Sequence, residues 1–202
     1  MKYDKNAWER LGNSFTNNYE LGLLDYRKHI IDVVLKYQDE CENLLDIGCA
    51  DGWFIEQFRQ FGFKKKYFGI DVTPNLIKRA KRRMPKEQFA IADAMDLNIK
   101  PFSVDFVLCA GVLMHLPDLK KAMSEAFRVS RKYVFISTYG TYGKSYCRFN
   151  NSFMNHFYNG PDVVSKVPSS FKIVFLKAFK REGNNDHMFQ YLFKLVNQKG
   201  EK

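Results

Sequence analysis

The chain has 202 residues, of which 46% are hydrophobic, and its formal net charge is +10. This length suits one full domain and is short for two. No apolar run approaches the roughly 20 residues that a membrane helix needs, and the N-terminus lacks the apolar stretch of a signal peptide. We therefore expect a soluble, cytoplasmic protein without a membrane partner. The four cysteines are not spaced as metal ligands, so free thiols and no metal site are expected.

The positive charge is concentrated in one part of the chain. Residues 59–86 hold ten basic residues and one acidic residue, and the sharpest basic run is KRAKRRMPK at 78–86. A basic helix face usually faces solvent, although it can also bind nucleic acid. We favour a solvated face here and keep RNA as an alternative partner.

Short apolar runs alternate with helical patterns over most of the chain, which is typical of a parallel sheet with crossover helices. The runs that predict strands are NLLDIG (43–48), KYFGID (66–71), FAIAD (89–93), VDFVLCAG (104–111) and KYVFIST (132–138). Prolines suited to helix starts stand before two of the intervening patterns. The expected helices lie near 53–61, 75–84 and 118–130.

The pattern changes after residue 138. The stretch 138–160 is rich in Tyr, Phe, Asn and Gly, and it is expected to be irregular. Two strand-like runs follow at 171–179 and 188–196, and the short link between them predicts an antiparallel hairpin. The sequence thus predicts an α/β fold with a doubly wound, mostly parallel, seven-stranded sheet and an antiparallel C-terminal hairpin.

The stretch DIGCADG, directly after the first predicted strand, places one acid before a tight turn. Asp46, Gly48, Ala50 and Gly52 follow each other at intervals of two. Glycines at such a turn let the backbone approach a ligand closely. The pattern is not GxGxxG, which disfavours a nicotinamide dinucleotide. An acid two residues before the first glycine suits a ligand ammonium group better than a pyrophosphate.

Two further acids follow the next two predicted strands. Asp71 ends the second strand and Asp93 ends the third. Open α/β sheets bind ligands at the carboxyl ends of their strands, where these side chains would meet Asp46. Taken singly, Asp71 could cap the helix near Pro74, and Asp93 could form a turn. The three acids together predict a ligand site at this edge of the sheet.

The segment DIGCADGWF resembles the first motif of the class I S-adenosylmethionine-dependent methyltransferases, in which three glycines usually alternate, with Ala50 here in the middle place. YFGIDVTPNLIKRAKRRM and IADAMDL are similar to the second and third motif regions. FSVDFVLCAGVLMHLPDLKKAMSEAFRV resembles the fourth strand and the following helix in the small-molecule, type 11-like branch. The resemblance covers about residues 40 to 138. It implies a Rossmann-like fold, S-adenosyl-L-methionine as cofactor and S-adenosyl-L-homocysteine as product.

The resemblance also implies roles for particular residues. Asp71 would hold both ribose hydroxyls, Asp93 would meet the adenine amino group, and the Ala94 amide would face a ring nitrogen. The full set of residues that it implies around the cofactor is Asp46, Gly48, Cys49, Ala50, Gly52, Trp53, Asp71, Val72, Asp93, Ala94 and Ala110. We expect one methyltransferase domain over 1–202, with an N-terminal helical lid segment (1–40), a cofactor-binding core (41–138), and an acceptor loop with the hairpin (139–202).

Methyl transfer from a sulfonium needs approach geometry and desolvation rather than a covalent nucleophile. An acceptor hydroxyl or ammonium must still lose a proton, which requires a general base. His115, just after the fourth predicted strand, is the first candidate, with a packing role beside the cofactor as an equal alternative. His156 is the second catalytic candidate. His29 and His187 are interpreted as structural or solvated.

The acceptor is expected to be a small molecule that is methylated on oxygen or nitrogen. Cys109-Ala110-Gly111-Val112 stands where enzymes that methylate planar amines have Asn or Asp, Pro, Pro and an aromatic residue. The segments 138–160 and 8–22 are expected to bind an aromatic or anionic acceptor and to become ordered on binding. The 138–160 aromatics could equally form a small core under a loop. An RNA methyltransferase and a non-catalytic cofactor-binding scaffold are the alternative functions.

Overall fold

The computed structural model describes residues 24–150, 153–180 and 186–196. The N-terminal segment 8–22, expected to cover the acceptor, lies outside the described residues, as does most of the expected lid segment. Within the described part of the chain, no helix is long and apolar enough to cross a membrane.

Nine strands and five α-helices are described. The strands are β1 (Asn43–Ile47), β2 (Lys66–Asp71), β3 (Gln88–Ile91), β4 (Val104–Ala110), β5 (Ser130–Gly140), β6 (Tyr146–Asn150), β7 (Phe153–Phe157), β8 (Phe171–Lys180) and β9 (His187–Leu195). The helices are α1 (Asp25–Tyr37), α2 (Trp53–Gln60), α3 (Pro74–Arg83), α4 (Leu119–Val129) and α5 (Gly160–Val164), and two short 3₁₀ turns span Gln38–Glu40 and Leu113–His115.

Seven of the strands form one sheet in the order β3-β2-β1-β4-β5-β9-β8. The strands from β1 to β5 run parallel, whereas β9 is antiparallel to both β5 and β8. The predicted seven-stranded, mostly parallel sheet with an antiparallel end is confirmed. The parallel register brings the carboxyl ends of β1 to β4 to one edge, and the strand order reverses between the neighbouring strands β1 and β4 near its centre.

Both faces of the sheet are covered because successive strand residues point to opposite sides. Leu45 and Val107 join an apolar core with α4 on one face. Leu44 and Phe106 join a second core on the other face, which is packed against α1, α2 and α3. Buried apolar residues on both sides of β1 and β4 explain why these strands read as nearly continuous apolar runs.

The stretch 138–160 differs from the expected irregular loop. It contains the end of β5 and a separate two-stranded sheet made by β6 and β7. Phe157 of this hairpin stacks between Tyr139 and Tyr146, with ring centroids 5.1 and 4.7 Å away. The aromatic side chains therefore form a small core of their own. The runs YCRF and FMNHF around Asn150-Asn151-Ser152 are a strand–turn–strand signal that the composition of the whole stretch obscures.

The third strand is shorter than predicted. It ends at Ile91 rather than at Asp93, and Asp93 lies in a turn closed by a bridge to Asp96. The Asp93 carboxylate accepts a hydrogen bond of 2.9 Å from the Met95 amide, as a turn-forming aspartate does.

Helix α1 is attached to the sheet through Gln190 of β9, whose side chain is fully buried. Its amide nitrogen donates to the Tyr26 carbonyl at 2.8 Å, and its oxygen lies 2.6 Å from Nδ1 of His29. The His29 ring also packs against Phe175 and Phe179 of β8. These contacts give His29 a structural position, in agreement with its interpretation from the sequence.

We predict that Gln190→Leu lowers the free energy of unfolding by about 1–3 kcal/mol, because it removes the hydrogen bonds that the buried Gln190 side chain makes to Tyr26 and His29. Urea unfolding measures this change. Gln60→Leu, on the exposed end of α2, is the control and should stay within about 0.5 kcal/mol of the parent. Equal effects of the two substitutions would contradict the attachment of α1 through Gln190.

Candidate active site

Two adjoining cavities open at the carboxyl edge of the sheet. The first has a volume of about 650 Å³ including its open mouth, and it lies over the ends of β1, β2 and β3. The second, of about 920 Å³, lies over the ends of β1, β4 and β5 and beneath α1. Gly48, Ala50, Gly111 and His115 line both cavities, so the two form one continuous cleft.

The loop after β1 forms the boundary between the two cavities. The amides of Gly48 and Cys49 both donate to the Ile70 carbonyl of β2, at 2.7 and 2.9 Å. Gly48 has a φ of +77°, and a Cβ added there would lie 2.1 Å from a methyl carbon of Val112. Ala50 also has a positive φ, +49°, a conformation that costs an L residue about 1–2 kcal/mol. The loop therefore holds its backbone against the cleft at some conformational cost.

Asp71 lies in the first cavity and ties two loops together. Its two carboxylate oxygens accept hydrogen bonds from the Ala50 amide at 3.1 Å and the Thr73 amide at 2.9 Å. Burial raises the pKa of the carboxyl group, while the hydrogen bonds from Thr73 and Ala50 oppose the rise. Each oxygen has a second lone pair, so Asp71 can also accept hydrogen bonds from a ligand diol.

The rest of the first cavity is an apolar slot with a polar end. Val72, Asp93 and Ala94, three of the residues predicted from the sequence, line it. Side chains that the sequence had not indicated complete the walls, and they are Ile47, Ile70, Thr73, Leu76, Ala92, Val112 and Leu116. A mostly apolar cavity with two carboxylates in its lining suits a nucleoside.

Asp46 is not brought into the cleft, contrary to expectation. Its side chain lies on the face of β1 opposite to Ile47, is 1% exposed, and accepts a 2.8 Å hydrogen bond from the Tyr67 hydroxyl. Burial raises the pKa of the Asp46 carboxyl group to about 7. Gly52 likewise lines neither cavity, and it forms the left-handed N-cap of α2 with a φ of +83°. Both residues therefore have structural positions next to the loop and do not line the cleft.

The second cavity contains a buried cation that the sequence analysis missed. Arg27 of α1 is 8% exposed, and its guanidinium carbon lies 5.0 Å from the ring centroid of Trp53. Its Nε donates to the Tyr26 hydroxyl at 3.2 Å. Cys49 and Ala110, which the resemblance had placed around the cofactor, line the same cavity. A guanidinium held between aromatic rings in a concave, apolar site is suited to a carboxylate or another planar anion.

The far wall of the second cavity is formed by β5, with Met114 and Met188 beside it. Ser137 and Tyr139 point into it. The Ser137 hydroxyl is buried and has no hydrogen-bond partner among the described residues. A buried hydroxyl without a partner is costly, which marks this wall as a place where a polar ligand group would be stabilised.

His115 lies where the two cavities meet. Burial and the nearby His156 lower its pKa to about 3, and the neighbouring Asn155 opposes this shift. The imidazole is therefore neutral at physiological pH. His156 itself lines neither cavity; its Nδ1 is 3.1 Å from the Cys147 sulfur, and its ring stacks on Tyr158. Of the two catalytic candidates, only His115 reaches the cleft.

Gly111, at the end of β4, was also missed as a site residue. Its φ is +77°, and a Cβ added there would meet no described atom within 4 Å because it would project into the cleft. A glycine at the end of a central parallel strand is the signal that could have identified it.

The basic run 78–86 is only partly a solvated face. Lys78, Lys81 and Arg82 are exposed, as expected. Arg83 and Arg79, however, lie 2.8 and 3.3 Å from a carboxylate oxygen of the buried Asp51. Within the described residues, no group of three or more His, Cys, Asp or Glu side chains is placed to hold a metal ion.

Asp46 leads to a prediction about stability and pH. Its folded-state pKa, about 7, is raised above the ordinary value of 3.8, so this carboxyl group lowers the stability of the fold as pH rises from about 4 to above 7. Asp46→Asn should therefore stabilise the protein by on the order of 2–4 kcal/mol at pH 8 and change it little at pH 4. Urea unfolding at both pH values measures the difference.

The control for this prediction is Asp39→Asn, whose parent side chain is 95% exposed. It should show no comparable gain at pH 8. A stability difference between Asp46→Asn and the parent that is the same at pH 4 and pH 8 would contradict the raised pKa of Asp46.

Comparison with known proteins agrees with this geometry. The type 11 methyltransferase domain family matches residues 45–136. The chain is similar to a malonyl-[acyl-carrier protein] O-methyltransferase of Serratia marcescens, with 28% identity over 90 residues, which are 45% of this chain and 34% of that protein. The matched region thus spans about a third of the length of that curated relative.

Two solved structures have a similar fold. The N-methyltransferase NodS of Bradyrhizobium japonicum, in complex with S-adenosylhomocysteine, has a TM-score of 0.71 at 18% identity and matches 94% of this chain and 98% of its own. The 1,6-didemethyltoxoflavin-N1-methyltransferase of Burkholderia thailandensis has a TM-score of 0.70 at 16% identity, with 93% and 88% covered. At these identities, the two structures show the shared fold. Residues 45–136 thus match the type 11 methyltransferase domain family, and the fold of the chain is shared with S-adenosylmethionine-dependent methyltransferases of known structure.

Proposed function

We propose that this protein transfers a methyl group from S-adenosyl-L-methionine to a hydroxyl or amine of a small molecule. The observation that carries the proposal is the continuous cleft, in which a nucleoside-shaped cavity and a second, larger cavity meet at His115. One cavity suits the cofactor's adenosine, and the other has room for the amino-acid end and an acceptor.

The residues present fit the cofactor. Asp71 can accept from the ribose hydroxyls, Asp93 and Ala94 lie where the base would end, and the absence of a side chain at Gly111 leaves space beside β4. Arg27, buried against Trp53, would pair with the carboxylate of the amino-acid end. S-adenosyl-L-methionine, when bound, supplies an electrophilic methyl group on a sulfonium.

His115 would orient the acceptor rather than act as a strong base. A neutral imidazole can accept a hydrogen bond from an acceptor hydroxyl or amine and so align the lone pair. With a pKa of about 3, it holds a proton poorly, so it can remove one only from an acidic acceptor or late in the transfer. The enclosing side chains exclude water and strengthen this hydrogen bond.

The acceptor half of the cleft favours a flat molecule with one polar group. Tyr139, Met114 and Met188 offer apolar and aromatic contacts, and the Ser137 hydroxyl offers a hydrogen bond. The named N-methyltransferases among the similar structures support an amine acceptor, and the named O-methyltransferase supports transfer to oxygen by a similar domain. The test is a methyl-transfer screen with tritiated cofactor against small-molecule extracts and bulk RNA in parallel. Preferential labelling of RNA would overturn the acceptor class.

We predict that Asp71→Ala weakens S-adenosylhomocysteine binding by about 2–4 kcal/mol, because it removes charge-assisted hydrogen bonds to the ribose. Titration calorimetry measures the loss. Asp96→Ala is the matched control, since Asp96 is exposed in the next loop and lines neither cavity.

Asp71 also holds the Ala50 and Thr73 amides, so Asp71→Asn separates support of the loops from recognition of the ligand. It keeps an acceptor oxygen but loses the charge, and it should fall between the parent and Asp71→Ala. Unchanged S-adenosylhomocysteine affinity in both variants would show that Asp71 does not bind the cofactor. Binding of NAD in place of S-adenosylhomocysteine would refute the proposed function itself.

We predict that His115→Ala lowers kcat by roughly a hundredfold while leaving S-adenosylhomocysteine affinity nearly unchanged, because the lost contact is with the acceptor. Steady-state kinetics with the acceptor found in the screen, together with calorimetry, measure the two effects. His156→Ala, outside both cavities, is the control and should keep most of the activity.

The pH dependence gives a second readout for His115. Because its pKa is about 3, kcat/KM should show no inflection from this residue between pH 5.5 and 8. An inflection near pH 6.5 that disappears in His115→Ala would contradict the neutral imidazole. Lost cofactor affinity with intact turnover would place His115 among the cofactor-binding residues instead.

A further inference from the structure

A second concave surface lies at the edge of the sheet opposite to the cleft, where the parallel strands begin. Asn43, Lys66, Gln88 and Val104, the first residues of β1 to β4, line it, and its volume is about 1270 Å³ including the open mouth. We call this surface the basic groove and define it by its cationic residues, which are Arg59, Lys64, Lys65, Lys66 and Lys86.

The basic groove has five cations and one carboxylate in its lining. Both oxygens of that carboxylate, Glu87, form an ion pair with Arg59. The Arg59 Nε and a terminal nitrogen donate to them at 2.7 and 2.9 Å. Lys65 lies 3.9 Å from Asp39, but the Asp39 side chain is 95% exposed, so solvent screens this pair. The groove is therefore left with a large excess of positive charge.

The remaining lysines of the groove are not neutralised by ion pairs with described carboxylates. Within the described ranges, no carboxylate forms an ion pair with Lys64, Lys66 or Lys86. Like charges in a concave surface repel each other and focus a positive potential into the space between them. A bound polyanion would remove that repulsion.

Two exposed phenyl rings stand on the loops that lead into the groove. Phe61 is 52% exposed at the end of α2, three residues before Lys64. Phe102 is 57% exposed, two residues before Val104. Neither ring lines the groove, but both lie on segments that lead directly into its lining strands. Proteins bind single-stranded nucleic acid with exposed rings near a cationic groove, because the rings stack on bases while the cations follow the phosphates.

We propose that the basic groove binds the phosphodiester backbone of a single-stranded nucleic acid, with bases stacked on Phe61 and Phe102. A single strand fits better than a duplex, since its bases are free to stack on the rings. An acidic polypeptide fits less well, because the face of an aromatic ring is negative and offers nothing to a carboxylate. This site is separate from the proposed methyl transfer, which takes place at the other edge of the sheet.

The test is fluorescence anisotropy with a labelled, mixed-sequence 12-nucleotide single-stranded RNA. The groove variant is Lys64→Glu/Lys66→Glu/Lys86→Glu, and the control is Lys120→Glu/Lys172→Glu/Lys180→Glu, which changes net charge equally on exposed residues elsewhere. The groove variant should lose at least about tenfold in affinity, and its log affinity should depend on log salt with a slope smaller by about 2. The control should stay within about threefold.

Three further measurements separate the alternatives. Phe61→Ala/Phe102→Ala should weaken RNA binding by about fivefold or more. S-adenosylhomocysteine affinity of the groove variant, measured by calorimetry, should match the parent, which shows that the fold is intact. Tripolyphosphate and a polyglutamate peptide of similar charge should compete poorly with the RNA.

Equal losses in the groove and control variants would overturn the proposal, because net charge alone would then explain the binding. Absence of RNA binding by the parent protein would also overturn it. Strong competition by tripolyphosphate, without an effect of the phenylalanine substitutions, would identify the ligand of the groove as a free oligophosphate and not a nucleic acid. Equally tight binding of polyglutamate would assign the groove to an acidic polypeptide.

Discussion

The shape of the cleft depends on the carboxylate of Asp71. It accepts hydrogen bonds from the amides of Ala50 and Thr73, which belong to the loops after β1 and β2. Without this link, the loop after β1 would have less to hold Ala50 in its left-handed conformation. Because a ligand diol would use the remaining lone pairs of the same carboxylate, loop geometry and ligand recognition are coupled through one side chain. Burial of the group makes that coupling stronger than it would be in solvent.

Burial also determines the charge state of the site. It raises the pKa of Asp46 and Asp71 and lowers that of His115, so it disfavours every charged form. His115 is therefore neutral, while Arg27 keeps its positive charge because guanidinium groups do not deprotonate in proteins. A neutral imidazole at the junction of the two cavities is suited to a reaction in which charge disappears from a sulfonium.

The sequence predicted the sheet and several residues that line the first cavity because both follow from local rules. Strand periodicity and the position of acids after strands located Asp71 and Asp93. The orientation of Asp46 could have been inferred from the same alternation, because Ile47 faces the cleft and its neighbour must face away. Arg27 and Ser137 could not be predicted, since each reaches the second cavity only after α1 and β5 have packed across distant parts of the chain.

The hydrogen bonds between Gln190 and α1 have a consequence for synthesis on the ribosome. Among the described elements, helix α1 is synthesised first. Its partner on β9 is Gln190, which contacts the Tyr26 carbonyl from more than 160 positions further along the chain. The strand order also inserts β9 between β5 and β8, so β8 reaches the sheet only through β9. The first cavity can therefore assemble cotranslationally from the central strands, whereas the second cavity must wait until β9 leaves the exit tunnel.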